Sequence, residues 1–147
     1  MNNQHERMIN KYHHKFLEEK FKEFNLGRAE APYIKMIYHQ SPIKMNTLIS
    51  NVVFHKSHTT RAINQMVKDG LITKEKDLED KRSYIITITQ KGIKVAEQVK
   101  QILEEWENLI DSALNEEERN QLNIMREKVY YKLKEHFEED LQDEKNV

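Results

Sequence analysis

The stretch "HKSHTTRAINQMVKDGLITKEKDLEDKRSYIITITQKG", residues 55–92, carries two periodicities that meet at one glycine. Before that glycine, Thr59, Ala62, Ile63, Met66 and Val67 recur every three or four residues and predict one face of a helix over about 56–69. The opposite face is left to Ser57, His58, Thr60, Arg61, Asn64, Gln65 and Lys68. Gly70 supplies the left-handed residue that ends such a helix. Beyond it the spacing falls to two. Leu71 to Lys76 and Ser83 to Thr89 predict two strands, with Tyr84, Ile86 and Ile88 turned inward. Between them Asp77, Glu79, Asp80, Lys81 and Arg82 crowd a charged tip onto an apolar hairpin.

Working outward, Ile43, Leu48 and Ile49 predict a brief helix over about 44–51, joined to the next by Val52-Val53-Phe54. Two short helices, the second with an outward face rich in hydrogen-bond donors, are what a helix-turn-helix needs to reach base edges in a major groove. An ordinary amphipathic surface helix has the same pattern, and the hairpin is what separates the two readings. A helix-turn-helix followed at once by a β-hairpin is a winged helix. A wing that tracks phosphate or enters a minor groove needs a positive tip, which Lys81 and Arg82 supply. Thr89 can then cap a helix from Gln90 to about Ala113.

The flanks read as helices. Ile9, Tyr12, Phe16, Lys20 and Phe24 form one stripe, with Lys20 its polar interruption, ending near Asn25 to Gly27. A second helix over about 29–39 carries Ile34, Ile37 and Tyr38, with Pro32 in its first turn, and Ser41-Pro42 ends it. Towards the C-terminus Val95, Val99, Ile102, Trp106, Leu109, Ala113 and Leu114 keep the three-to-four spacing. Asn115 and Glu118 have the spacing of a capping box for a last helix through Leu122, Met125, Val129, Leu133, Phe137 and Leu141. The fold class is therefore mainly α with a small β-hairpin. It is a winged helix-turn-helix (about 29–94) between long terminal helices (about 1–28 and 95–147), in one domain of 147 residues.

Composition sets the outer limits. A chain with 37% hydrophobic and 33% charged residues, three Gly and two Pro favours long, solvated helices over a many-turned sheet protein. The absence of Cys excludes disulfides, thiolate metal sites and thiol redox sensing. No stretch reaches the roughly 20 apolar residues of a membrane span. The first residues, MNNQHERMIN, lack the apolar core of a signal peptide, so a cytoplasmic protein with no membrane partner is expected. The net charge of −1 hides an asymmetry: residues 43–94 carry ten Lys/Arg against five Asp/Glu, and residues 95–147 seven against fifteen. Only the middle of the chain is suited to a polyanion.

Residues 55–92 resemble the MarR family of winged-helix transcriptional regulators. The likeness lies in K-S-x-x-T-R at the reading helix, the G-L-I after it, the wing pattern D-x-x-D-x-R, and the T-x-x-G that opens the next helix. The resemblance implies a homodimer that binds double-stranded DNA at a pseudo-palindromic operator, with no cofactor. It sets Arg82 in the minor groove with Asp80 restraining its guanidinium, and Ser57, His58, Thr60 and Arg61 near base edges or phosphates. Two positions depart from the family pattern: Val53 stands where the turn often has Gly, and His55 where Asp often precedes the reading helix. His55 is then left to replace the cap or to contact phosphate.

Two long apolar stripes at the C-terminus and one at the N-terminus exceed what a small winged helix can cover, so a partner chain is the expected cover; an intramolecular bundle is the alternative. The resemblance also implies release of DNA by a small-molecule effector, often aromatic or anionic, for which Tyr12, Phe16, Tyr33 and Met36 would line a crevice. Side chains of this kind at helical spacing also serve as plain core. Seven histidines raise metal sensing as an alternative, yet His13 and His14 are adjacent on a helix, and no metal-ligand spacing is present. Catalysis lacks a phosphate loop or a nucleophile with its base, since Ser57 and His58 are neighbours on one helix. A winged-helix dimer serving as a protein–protein adaptor is the remaining rival, because fold alone does not fix function.

Overall fold

The computed structural model describes residues 3–52 and 55–145, with side chains as far as residue 137. Val53, Phe54 and the side chain of Leu141 lie outside the described residues. The chain forms two compact units, Met1–Trp106 and Glu107–Val147.

The first unit is a winged helix carried on a long N-terminal helix. Helix α1 (Gln4–Phe21) runs into a 3-10 turn over Lys22–Phe24 and stops where Asn25 takes a left-handed φ of 51°. Helix α2 (Ala31–Gln40) has Pro32 in its first turn, where the missing N–H costs nothing. Strand β1 (Ile43–Lys44), helix α3 (Met45–Ser50) and helix α4 (Lys56–Lys68) follow, then the hairpin β2 (Ile72–Lys76) and β3 (Tyr84–Ile88). Helix α5 (Gln90–Asp111) closes the first unit with its buried residues from Val95 to Trp106.

The hairpin belongs to a three-stranded antiparallel sheet of order β1-β3-β2, with Ile43 opposite Ile86 and Ile72 opposite Ile88. Strand β1 was not expected: Ile43 reads as the approach to a helix, and a two-residue strand has no periodicity to detect. It is nevertheless what makes Ile86 fully buried, by giving β3 a neighbour on each side.

One core joins α1 to the winged helix. Leu17 and Phe21 of α1, Tyr33, Ile34 and Ile37 of α2, Ile63 and Met66 of α4, Ile72 and Ile86 of the sheet and Val99 of α5 are all buried in it. The expected stripe on α1 is thereby corrected. The lobe takes Leu17 and Phe21, half-buries Phe16 and Phe24, and leaves Ile9 and Tyr12 exposed. Lys20 is turned to Glu105 of α5 at 2.7 Å, and that carboxylate raises the ammonium above the ordinary lysine value. Val67 is also corrected: placed inward by its spacing, it is 37% exposed, beside the fully buried Met66.

Local signals fix the joints. Gly70 has φ 73°, and the Leu71 N–H reaches back to the Met66 carbonyl. Thr89 caps α5 by accepting from the Gly92 N–H at 3.0 Å, while its own hydroxyl lies 3.0 Å from the Leu71 carbonyl. Gly92 is required there, since a methyl group would overlap that carbonyl.

In the second unit α6 (Glu116–Lys145) starts at a reciprocal capping box. The Glu118 N–H donates to Asn115 Oδ1 at 3.0 Å and the Asn115 N–H to Glu118 Oε2 at 2.9 Å. Along it Met125, Val129, Leu133 and Phe137 are each more than half exposed.

Candidate nucleic-acid interface

Helix α4 is anchored by four buried residues, Thr59, Ala62, Ile63 and Met66, and this leaves one long face to solvent. His55 takes over the capping role that Asp has elsewhere. Its Nδ1 lies 3.0 Å from Ser57 Oγ and accepts, more weakly, from the Ser57 N–H at 3.4 Å. The exposed face forms a shallow concavity lined by Ser57, Thr60, Arg61, Asn64, Gln65 and Lys68, together with His55 and Lys56. Six expected reading residues are thus brought together. Lys56 was missed, although a cation in the first helical turn beside Ser57 was legible as a phosphate contact.

The donors on this face differ in readiness. Thr60 donates back to the Lys56 carbonyl, Gln65 to the Asp69 carboxylate at 3.1 Å, and Asn64 accepts from Lys74 of β2 at 3.5 Å. Arg61, Lys56 and Lys68 form no ion pair or hydrogen bond among the described side chains, so their charge is available to a polyanion.

His58 stands apart from this set. Its half-buried ring faces α2, with Nδ1 3.1 Å from the hydroxyl of Tyr33. It lines a different cleft, of about 730 Å³, with Leu26, Arg28 and Pro32 on one side and His14, Glu18 and Lys22 on the other. Of the four residues expected in an effector crevice, Tyr33 is fully buried in the core, Met36 is half-buried, Phe16 lies 5.5 Å from the Trp106 ring and Tyr12 is exposed. No group of three or more potential metal ligands occurs among the described residues.

The wing is held at its base and free at its tip. The Asp77 N–H donates to the Ser83 carbonyl and the Ser83 N–H to that of Asp80, which closes the hairpin around Leu78 to Arg82. Asp77 is only 4% exposed. Its carboxylate accepts from the Glu79 N–H at 3.0 Å and pairs with Lys44 of β1 at 3.5 Å. The Glu79 hydrogen bond, aided by Lys44 against the opposing effect of burial, holds Asp77 below the usual carboxylate value. Asp80 Oδ1 accepts from the backbone N–H of Arg82 at 3.1 Å, and no Asp80–Arg82 side-chain pair occurs among the described residues. Lys81 and Arg82 are exposed.

An exposed polar helix presented by a three-helix lobe, with a hairpin beside it whose tip exposes Lys81 and Arg82, defines a winged helix-turn-helix protein. Residues 28–84 match the model of the MarR family. The chain is 32% identical over 74 residues to the HTH-type transcriptional regulator BilQ of Clostridium symbiosum, a match covering 50% of this chain and 51% of the relative. It is 27% identical over 107 residues to BilQ of Clostridioides difficile, covering 73% and 72%. The S. aureus MepR–DNA complex has the same fold, with a TM-score of 0.80 at 22% identity, covering 90% of this chain and 98% of that one. Residues 28–84 are thus similar to the MarR family, and the curated relatives are HTH-type transcriptional regulators. The match to the C. symbiosum relative spans about half of that protein's length. No helix among the described residues is long and apolar enough to cross a membrane.

Proposed function

We propose that this chain is a sequence-specific DNA-binding regulator that acts as a homodimer on a pseudo-palindromic operator, with α4 in the major groove and the wing tip in the flanking minor groove. The observation that carries this reading is the gathering of Ser57, Thr60, Arg61, Asn64, Gln65 and Lys68 on one solvent face of α4. That face has the donors for base edges, and Lys56, Lys81 and Arg82 have the charge for phosphates. A protein–protein adaptor would have no need of a donor-rich face with three unpaired cations.

A gel-shift titration against the chain's own upstream DNA at two salt concentrations tests it. Affinity should fall with a log–log slope of about −0.9 for each phosphate contact released. A flat salt dependence would leave the adaptor as the better reading.

Release by a small aromatic or anionic effector belongs to the same proposal. Trp106 is the sole tryptophan, and it stacks on His13 with ring centroids 4.8 Å apart, so its fluorescence reports on the α1–α5 seam where Phe16 lies. Aromatic acids that weaken the gel shift should also change this emission. If none does either, effector control through this seam is discarded.

A further inference from the structure

We infer that Asn64 and Gln65 are held with opposite polarity and together read one G·C base pair, Asn64 through its amide nitrogen and Gln65 through its amide oxygen. The inference deepens the proposed reading of DNA by α4 and rests on it. Both side chains are exposed and line the same concavity of the reading face. Each amide has one arm engaged by its own lobe. Gln65 Nε2 lies 3.1 and 3.2 Å from the two carboxylate oxygens of Asp69, the residue that ends α4. Asn64 Oδ1 lies 3.5 Å from Nζ of Lys74 on β2, and that ammonium is itself placed over the Tyr84 ring, 4.5 Å from its centroid.

The partners decide which arm is which. A carboxylate only accepts hydrogen bonds and an ammonium only donates them, so the Gln65 arm on Asp69 must be the N–H2 and the Asn64 arm on Lys74 must be the oxygen. The Gln65–Asp69 bond is charge-assisted and joins residues four apart on a helix, a spacing that favours such pairs. The Asn64 contact is longer, but its donor is held from the other side by the face of Tyr84. The arms left for a ligand are the Asn64 N–H2 and the Gln65 oxygen. An amide on a reading helix takes adenine with both arms at once, accepting from N6–H2 and donating to N7. Neither amide here can do so without leaving its partner. A G·C pair fits the arms as they are held: guanine offers N7 and O6 as acceptors, and its cytosine offers N4–H2 as donor. A T·A pair offers Asn64 only the thymine O4, with a methyl group against it, and leaves one amide proton unmatched.

Selection of the full-length protein on a pool of randomised duplexes, followed by gel-shift titration of the enriched duplex, tests this. Asn64→Ala and Gln65→Ala should lose discrimination at the same base pair. That pair should be G·C, and replacing it by A·T or T·A should weaken the parent about fivefold or more. Asp69→Ala and Lys74→Met should release the amides and let A·T compete there, so that the ratio of affinities for the two duplexes falls towards one. The ratio decides, because a Lys74 that merely contacted phosphate would weaken all duplexes alike and leave it unchanged. A ratio kept in either variant overturns the held amide on that side. An A·T or T·A pair at the position, or unaltered preferences in Asn64→Ala and Gln65→Ala, overturns the G·C assignment. A parent that enriches no sequence defeats the regulator reading itself, whereas an enriched motif indifferent to all four variants defeats this inference alone.

Discussion

Single residues in the lobe divide into those that hold the readers and those that read. Asp77 holds. Its carboxylate is depressed chiefly by the Glu79 N–H and next by Lys44, so it stabilises the folded lobe at pH values above the ordinary aspartate range. That contribution is lost as pH falls through the lowered folded value. Asp77→Asn should accordingly lower the melting temperature at pH 7, and the gap from the parent should close as pH falls through the lowered folded value, which thermal unfolding from neutral into acid pH checks. A gap that persists at acid pH would mean the substitution acts through packing. Arg61 reads. Arg61→Ala should cost about 1–3 kcal/mol of operator affinity, measured by titration, with little change in melting temperature, because the side chain is exposed and forms no hydrogen bond or ion pair among the described residues. The outward place of Arg61 was legible from spacing alone. The inward turn of His58 was not, since helical phase puts it at the rim and its contact with the Tyr33 hydroxyl spans 25 residues of the chain.

Elements show where sequence periodicity carries structural information and where it does not. The helices α4, α5 and α6 begin and end close to the positions their caps predict, since Gly70, Thr89 and the Asn115–Glu118 pair act on backbone atoms within a few residues. Strand β1 and the ion pair from its Lys44 to Asp77 escape notice because both depend on a partner some 30 to 40 residues away. The wing combines the two cases. Its charges were visible, but the hydrogen bond from the Arg82 backbone N–H to Asp80 was not. Restraint of the guanidinium and support of the turn predict different variants. Arg82→Ala should cost about 1–3 kcal/mol of operator affinity if the side chain enters the minor groove. Asp80→Ala should cost less, by loosening the turn, and Asp80→Asn, which keeps the acceptor and removes a negative charge, should bind as the parent does or tighter. If Asp80→Ala itself binds more tightly, repulsion from phosphate outweighs the turn and the backbone role is unimportant.

At the scale of the whole molecule the first unit buries most of its large apolar side chains, whereas the second leaves a stripe of them exposed. Val95, Val99, Ile102 and Trp106, expected from their spacing to await a partner, are at most 9% exposed, and the first three cluster with the buried residues of the winged helix. Removing the chain beyond Asn115 should therefore leave that core covered, instead of exposing Val99 and Trp106 as their spacing alone implies. On α6 the position is reversed: Met125, Val129, Leu133 and Phe137 recur at four-residue intervals and are each more than half exposed, as are Tyr130 and Tyr131 beside them. An apolar stripe of this length on a lone helix marks an association surface, and a second copy of the chain, meeting it with the same stripe, is the occupant that the proposed palindromic operator requires. A charge in the middle of the stripe should separate dimerisation from folding. In Leu133→Glu two carboxylates would be buried near one another at a two-fold seam, a cost of several kcal/mol shared by no contact within the first unit. Light scattering should then give a monomer with the helical content of the parent. Operator affinity should fall by two orders of magnitude or more, since two half-sites no longer bind as one. If Leu133→Glu remains dimeric and binds as the parent does, α6 is not the seam, and the stripe serves another partner.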